Sequence, residues 1–297
     1  MTATLEKTAL RGVEHVAPSQ LAPVGTFTVR RALPFRERHS VGPWVFLDHF
    51  GPFRVKPGED GVGAHPHAGI ETVTYLLSGR NEHRDSAGHT GIVAAGGAQW
   101  MTAGGGIVHS ERPLAENDDE LTMHGVQLWT SLPRTLKLMP PRYQRIDAAA
   151  IPDIATKGVR TRVIAGELGD AKGPASTLMP TFLWHARIDA GATFEAAVAP
   201  GFEAAVYVIA GDALVGPETH VSTGELAVLS GPEGDLRVRN AGEASLDVLV
   251  LGGAPAEGPL VFHGPFVMNS VDQVRAAEIA YRTGRMGHLD DERQSSR

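Results

Sequence analysis

Residues 65–79 read HPHAGIETVTYLLSG, and this stretch decides how the rest of the chain is organised. Thr72–Gly79 is a β-branched and aromatic run closed by Ser-Gly, the signature of a strand entering a tight turn. A related run, AAVYVIAG at Ala204–Gly211, recurs in the other half of the 297-residue chain. Gly-rich turns follow both copies, around Gly96 and around Gly224. Other short β-like runs, such as Thr26–Arg31, Trp44–Leu47, Leu121–Trp129, Arg160–Ala165 and Ser245–Leu251, are spaced by turn signals. Many short strands with such spacing predict an all-β architecture of barrels or sandwiches. The Pro-rich stretch Leu132–Asp153 separates the two copies, so the chain reads as a duplicated β-barrel. The expected divisions are an N-terminal metal-binding domain over 1–135, a linker over 136–152, a C-terminal domain over 153–290 and a polar tail over 291–297. One short helix is predicted, opening at Ser270 with Gln273 three residues on, running through Val274, Ala277 and Tyr281, and stopping near Gly284 and Gly287.

The front of the same stretch carries chemistry. His65 and His67 are one residue apart, so on a strand both side chains project from one face. His109 and Glu111 repeat the spacing. On two adjacent antiparallel strands these pairs bring three imidazoles and one carboxylate to a point, the donors of a divalent first-row ion. Gln99 and Met101 share one face of a strand, with Trp100 on the other, and read as core or pocket wall. Gly104-Gly105-Gly106 precedes a β segment rather than a helix, so it reads as a tight turn and not a phosphate cradle. His83 and His89 read as solvated or locally hydrogen-bonded, and His124 as a residue beside a strand that faces either way. His49 is expected to pack at a loop, with a role next to the metal ligands as the alternative. Seven of the 13 histidines lie between His49 and His124. The second copy has Pro200-Gly201-Phe202 where the first has HPH, so it cannot form a site of this kind.

The bulk numbers exclude several classes. A net charge of −7 opposes non-specific nucleic-acid binding, which needs a positive field. With no cysteine, disulfides, thiolate zinc sites and Cys nucleophiles are excluded. No early apolar run suits a signal peptide and no stretch approaches the ~20 apolar residues of a membrane span. A cytoplasmic protein without membrane or nucleic-acid partners is the expectation.

Five motifs together resemble the pirin family: VFLDHFGP (45–52), HPHAGIETVTYLLSG (65–79), EHRDSAGHTG (82–91), QWMTAGGGIVHSE (99–111) and GPFVMNSVDQVRAAEIAYRTGRMG (264–287). The similarity spans nearly the whole chain. It implies two tandem cupin barrels of the double-stranded β-helix or jelly-roll type, with iron or a comparable divalent metal in the first barrel only. The family's ligands fall on His65, His67, His109 and Glu111. Many other cupins take the carboxylate from the first motif, where Glu71 stands. Glu71 shares the strand parity of His65 and His67, so it is expected to face the barrel interior near the ligands. Ala68, in place of the Arg common after HPH, and Gly105, where a larger residue is common, are expected to reshape the pocket mouth.

The resemblance further implies quercetinase activity, the opening of a flavonol ring by dioxygen, or alternatively a metal- and redox-responsive regulator of a transcription factor or metabolic enzyme. Three imidazoles and a carboxylate leave up to two positions open on an octahedral ion for substrate oxygens and O2. Fe2+ is the expected metal, with Mn2+, Ni2+ and Co2+ equally suited by donor type. Zn2+ tolerates the ligands but has no redox chemistry of its own. Glu111 is the candidate base for the flavonol hydroxyl, whose pKa the metal lowers.

Overall fold

A computed structural model describes residues 9–59, 61–115 and 121–289, so the polar tail at 291–297 lies outside it. The N-terminal run opens with strand β1 (Val13–Pro18), β2 (Gln20–Val24), β3 (Phe27–Leu33) and β4 (Trp44–Val55). Next come β5 (Val62–His67), β6 (Ile70–Ser78), β7 (Arg80–Asp85), β8 (Thr90–Ala94), β9 (Ala98–Thr102), β10 (Ile107–Pro113), β11 (Leu121–Ser131) and β12 (Arg142–Ile146). These form a seven-stranded sheet in the order β12-β9-β6-β11-β4-β3-β2 and a four-stranded sheet in the order β5-β10-β7-β8. The pair of sheets makes one barrel, and the side chains of Thr74, Asn81, Gln99 and Glu111 meet inside it.

The second barrel repeats the plan. Its larger sheet runs β1, Glu225–Leu229, Glu203–Ala210, Leu246–Gly253, Thr181–Ile188, Val159–Ala165 and Asp153–Thr156; four further strands make the smaller one. Alternate residues Ala204, Val206 and Val208, and Val248 and Val250, point into one apolar core with Trp184, Phe194, Leu236 and Val238. Period-two apolar patterning fills this interior with carbon.

The compact units do not follow the chain as consecutive blocks. One comprises the residues up to Gln20, Ala32–Trp44 and Ile151–Pro255; the other comprises Leu21–Arg31, Val45–Ala150 and the residues from Ala256 onward. The contiguous divisions 1–135 and 153–290 therefore need correction, for two reasons. Strand β1 hydrogen-bonds to Glu225–Leu229 in the second barrel. The C-terminal residues pack on the first: Phe266, Met268, Val274 and Ala277 cover Ala68 and Val108. The expected linker 136–152 also departs from the sequence reading, because Arg142–Ile146 forms β12, an edge strand paired with β9. Its prolines, Pro140 and Pro141, sit just ahead of the strand, where no ladder donor is missed.

The helix α1 spans Val271–Arg282. The Ser270 hydroxyl accepts from the Gln273 N–H, and the Gln273 side chain reaches back to the Asn269 N–H, a capping arrangement shifted by one residue. Among the described residues no helix is long and apolar enough to cross a membrane.

Candidate metal centre

Strands β5 and β10 are antiparallel neighbours with His109 opposite His65 and Ile107 opposite His67. That register places three imidazoles on one wall. Among the described residues, His65, His67 and His109 form a group whose candidate ligand atoms all lie within 4.8 Å of one another. His67 and His109 are buried and His65 is half-buried, which leaves the group open on one side.

Hydrogen bonds decide which nitrogen each ring offers. A carbonyl oxygen only accepts, so His65 Nδ1–H donates to Gly63 O at 2.8 Å and His67 Nδ1–H donates to Pro265 O at 3.1 Å. Both rings are thereby left with a bare Nε2. His109 Nδ1 lies 3.5 Å from His83 Nδ1, and its Nε2 lies 2.9 Å from His65 Nε2. A proton on His109 Nε2, or a cation held by both nitrogens, satisfies this contact with the bare His65 Nε2. Nitrogens bound to one ion at ~2.1 Å and at a right angle stand about 3.0 Å apart, so the pair fits a metal. Burial, together with the neighbouring His65, holds His67 down to about 3. His109 is lowered well below the usual imidazole range by burial and by His65, His67 and His83. Both are thus neutral ligands at any physiological pH.

Glu111 enters the same interior but stands outside the 4.8 Å group. Its Oε1 accepts from Thr74 Oγ1 at 2.6 Å, from Asn81 Nδ2 at 3.3 Å and from Gln99 Nε2. Oε2 has no hydrogen bond among the described residues. The β10 register slips against β5 between His109 and Glu111, which displaces the carboxylate from the plain alternation the spacing implied. Gln99 is thus placed beside the site, through Glu111. Met101 instead packs among Ile70, Ala103 and Ile107 in the core.

Three expectations are corrected here. Glu71 does not face the interior. It is buried on the opposite face of the sheet, where its carboxylate accepts from Thr102 Oγ1 at 2.8 Å and Thr130 Oγ1 at 3.3 Å. The reason is Gly69, at φ +77°, which ends one sheet and starts the other. Strand parity does not carry across it: Thr74, three residues on from Glu71, is the residue that reaches Glu111. Any Cβ at Gly69 would meet Val267 O at 2.2 Å, so the kink requires glycine. His49 likewise does not approach the ligands, but lies with Nε2 at 2.8 Å from His124 Nε2. Ala68, moreover, is no part of a pocket mouth, being fully buried under Phe266 and Met268.

Other residues join the site: His83 and His89, read as solvated or locally hydrogen-bonded, both bond Asp85 locally, and His83 is not solvated. His83 is fully buried behind His109 and stacks on Tyr143 with centroids 4.4 Å apart. Its Nε2 is 3.1 Å from Asp85 Oδ2, and His89 Nδ1 is 2.9 Å from the same oxygen. Burial alone would raise the Asp85 carboxyl, yet the bonds from His83 and His89 bring it below its usual value. Burial and the Glu111 charge push the Tyr143 phenol up, keeping it protonated. Trp129 meets His67 edge-on at 4.9 Å and stacks on Phe46 at 4.0 Å. The Arg31 guanidinium lies 4.6 Å over Phe46 and is gripped by both Asp48 oxygens, at 2.8 and 2.7 Å. Strand β7 alternates, burying Asn81, His83 and Asp85 and turning the residues between them outward.

Comparison with known proteins agrees with this geometry. Residues 26–130 match the pirin family model, and residues 183–287 match the model of the pirin C-terminal cupin domain. Human pirin is 36% identical over 264 residues, covering 87% of this chain and 88% of that protein. A Pseudomonas aeruginosa protein with a provisional quercetin 2,3-dioxygenase name is 37% identical over 250 residues, covering 82% of this chain and 86% of that one. The crystal structure of a quercetin 2,3-dioxygenase from Acinetobacter baumannii superposes with a TM-score of 0.89 at 34% identity, covering 95% of this chain and all of that one. The two-barrel fold is therefore that of its relatives, and the chain belongs to the pirin family.

Proposed function

We propose that this protein is a metal-dependent dioxygenase that opens the ring of a flavonol with O2. The observation that carries the reading is the convergence of the His65, His67 and His109 imidazoles, the first two with bare Nε2 atoms, on a half-open wall with the Glu111 carboxylate beside them. These four residues would hold one divalent ion, Fe2+ by preference and Mn2+, Ni2+ or Co2+ by the same donor chemistry. When bound, the ion supplies Lewis acidity towards the substrate hydroxyl and a redox partner for O2.

The remaining chemistry belongs to the protein. Glu111 Oε1 is fixed by Thr74, Asn81 and Gln99, so Oε2 is the atom that takes the proton of the flavonol enol hydroxyl. Trp129 and Phe46 give an aromatic flank next to His67 on which a planar substrate can lie. Arg31, beside Phe46, adds a cation near that flank. The quercetin dioxygenase names of the Pseudomonas and Acinetobacter relatives support this substrate class.

The test is aerobic turnover of quercetin by the protein loaded separately with iron, manganese, nickel and cobalt, followed by flavonol bleaching and O2 uptake. At least one metal should give turnover that His65→Ala abolishes. Bound metal without O2 uptake on any flavonol would remove the catalytic reading and leave the regulatory one.

A further inference from the structure

We propose that His83 is a positioning residue for His109, and that Asp85 fixes His83, so that a carboxylate two side chains away dictates which nitrogen a metal ligand presents. The inference rests on the metal reading of the three histidines and concerns residues that do not touch the ion.

An ionised carboxylate only accepts, so His83 Nε2 carries the proton in the 3.1 Å contact to Asp85 Oδ2. A neutral His83 then has a bare Nδ1, which faces His109 Nδ1 at 3.5 Å. That contact is a hydrogen bond only if His109 Nδ1 is protonated, and His109 is left with a bare Nε2 towards His65. Asp85 is itself anchored, because its Oδ1 accepts from the Ala87 and His89 backbone N–H groups, both at 3.0 Å. Tyr143, stacked within 16° of parallel on His83, blocks rotation of that ring. The strand register delivers the parts, with Asp85 opposite His109 and His83 opposite Glu111 across β7 and β10. His65 and His67 have backbone carbonyls as Nδ1 acceptors, so His109 is the ligand whose tautomer depends on side chains. Partners of this kind behind a ligand typically change metal affinity by about 10–100-fold when removed.

The test uses the full-length protein. Imidazole 15N spectra of metal-free His65→Ala, which removes the competing Nε2 acceptor facing His109, should show His109 as the Nδ1–H tautomer; a predominant Nε2–H form overturns the proposal. Cobalt(II) affinity, measured by chelator competition, should weaken by about 10–100-fold in His83→Phe, which keeps the stacking on Tyr143 but has no acceptor. His83→Asn should recover most of the loss, because its Oδ1 stands the same number of bonds from Cα as the imidazole Nδ1. Wild-type cobalt binding with His83→Phe within twofold of it refutes the positioning role. Absence of cobalt binding by the wild type itself would refute the metal reading instead, while the tautomer measurement still decides this one.

Discussion

Lys137 offers a quantitative check on how the first barrel is held together. Its side chain is fully buried, with Nζ donating to Gly69 O at 2.7 Å, Val267 O at 2.7 Å and Ser131 Oγ at 2.9 Å. One ammonium thus ties the turn after His67, the end of β11 and the C-terminal segment that supplies Pro265 O to His67. Burial pushes the Lys137 ammonium down to about 7 from 10.5, against the pull of the Glu257 carboxylate. In the unfolded chain the same group binds its proton up to about pH 10.4. Between those values the unfolded state holds a proton that the native state lacks, so native stability rises with pH through this window. The slope is about 1.4 kcal/mol per pH unit, and the whole burden, fully present below about pH 7, is about 5 kcal/mol. Urea unfolding of metal-free wild type and Lys137→Met, compared at pH 7.5 and pH 9.5, isolates the term from other titrations. Wild type should gain about 2–3 kcal/mol on the variant over that interval. A difference that stays constant with pH would show that the three acceptors keep the ammonium charged throughout, and the reasoning from burial would be wrong.

Three further outcomes are expected. Glu111→Gln should keep metal bound through the histidines but lower kcat/KM on flavonols by about 10²–10⁴-fold, read from initial rates with metal content matched. The metal-free protein should lose stability as pH falls from about 6.5 towards 3, because His67 protonates at about 3 when folded but near 6.5 when unfolded; the wild type should fall more steeply than His67→Asn in acid unfolding series. Arg11→Met should destabilise the second barrel by about 2–5 kcal/mol in denaturant melts, since the buried guanidinium donates to Gly234 O, Phe202 O and Pro232 O.

The sequence was most informative where chemistry and periodicity coincide. HPH and HSE announced paired strands, and the register of β5 against β10 brings their imidazoles together. It was least informative wherever the backbone changes sheet. Gly69 resets the alternation, so Glu71 could be assigned to the wrong face from residues that look continuous with His65 and His67. His83 and Asp85 lie in a turn-like EHRDSAGH segment, and only the β7–β10 pairing reveals that they stand behind His109. Tyr143 sits among prolines that suggested a linker, because a short edge strand leaves little periodicity to detect. Chain crossing between the units is invisible to local patterns altogether: strand propensity in β1 says nothing about which barrel it completes.

The histidine wall is encoded early, but its construction waits for the end of translation. The carbonyl that orients His67 belongs to Pro265, and the apolar cover over Ala68 comes from Phe266, Met268 and α1. A ribosome that has released the first 150 residues has therefore produced a barrel that still lacks the last wall of its own cradle. Metal binding at the proposed site would in this way depend on the C-terminal segment, and a product truncated before Pro265 should hold an ion about 10–100-fold more weakly.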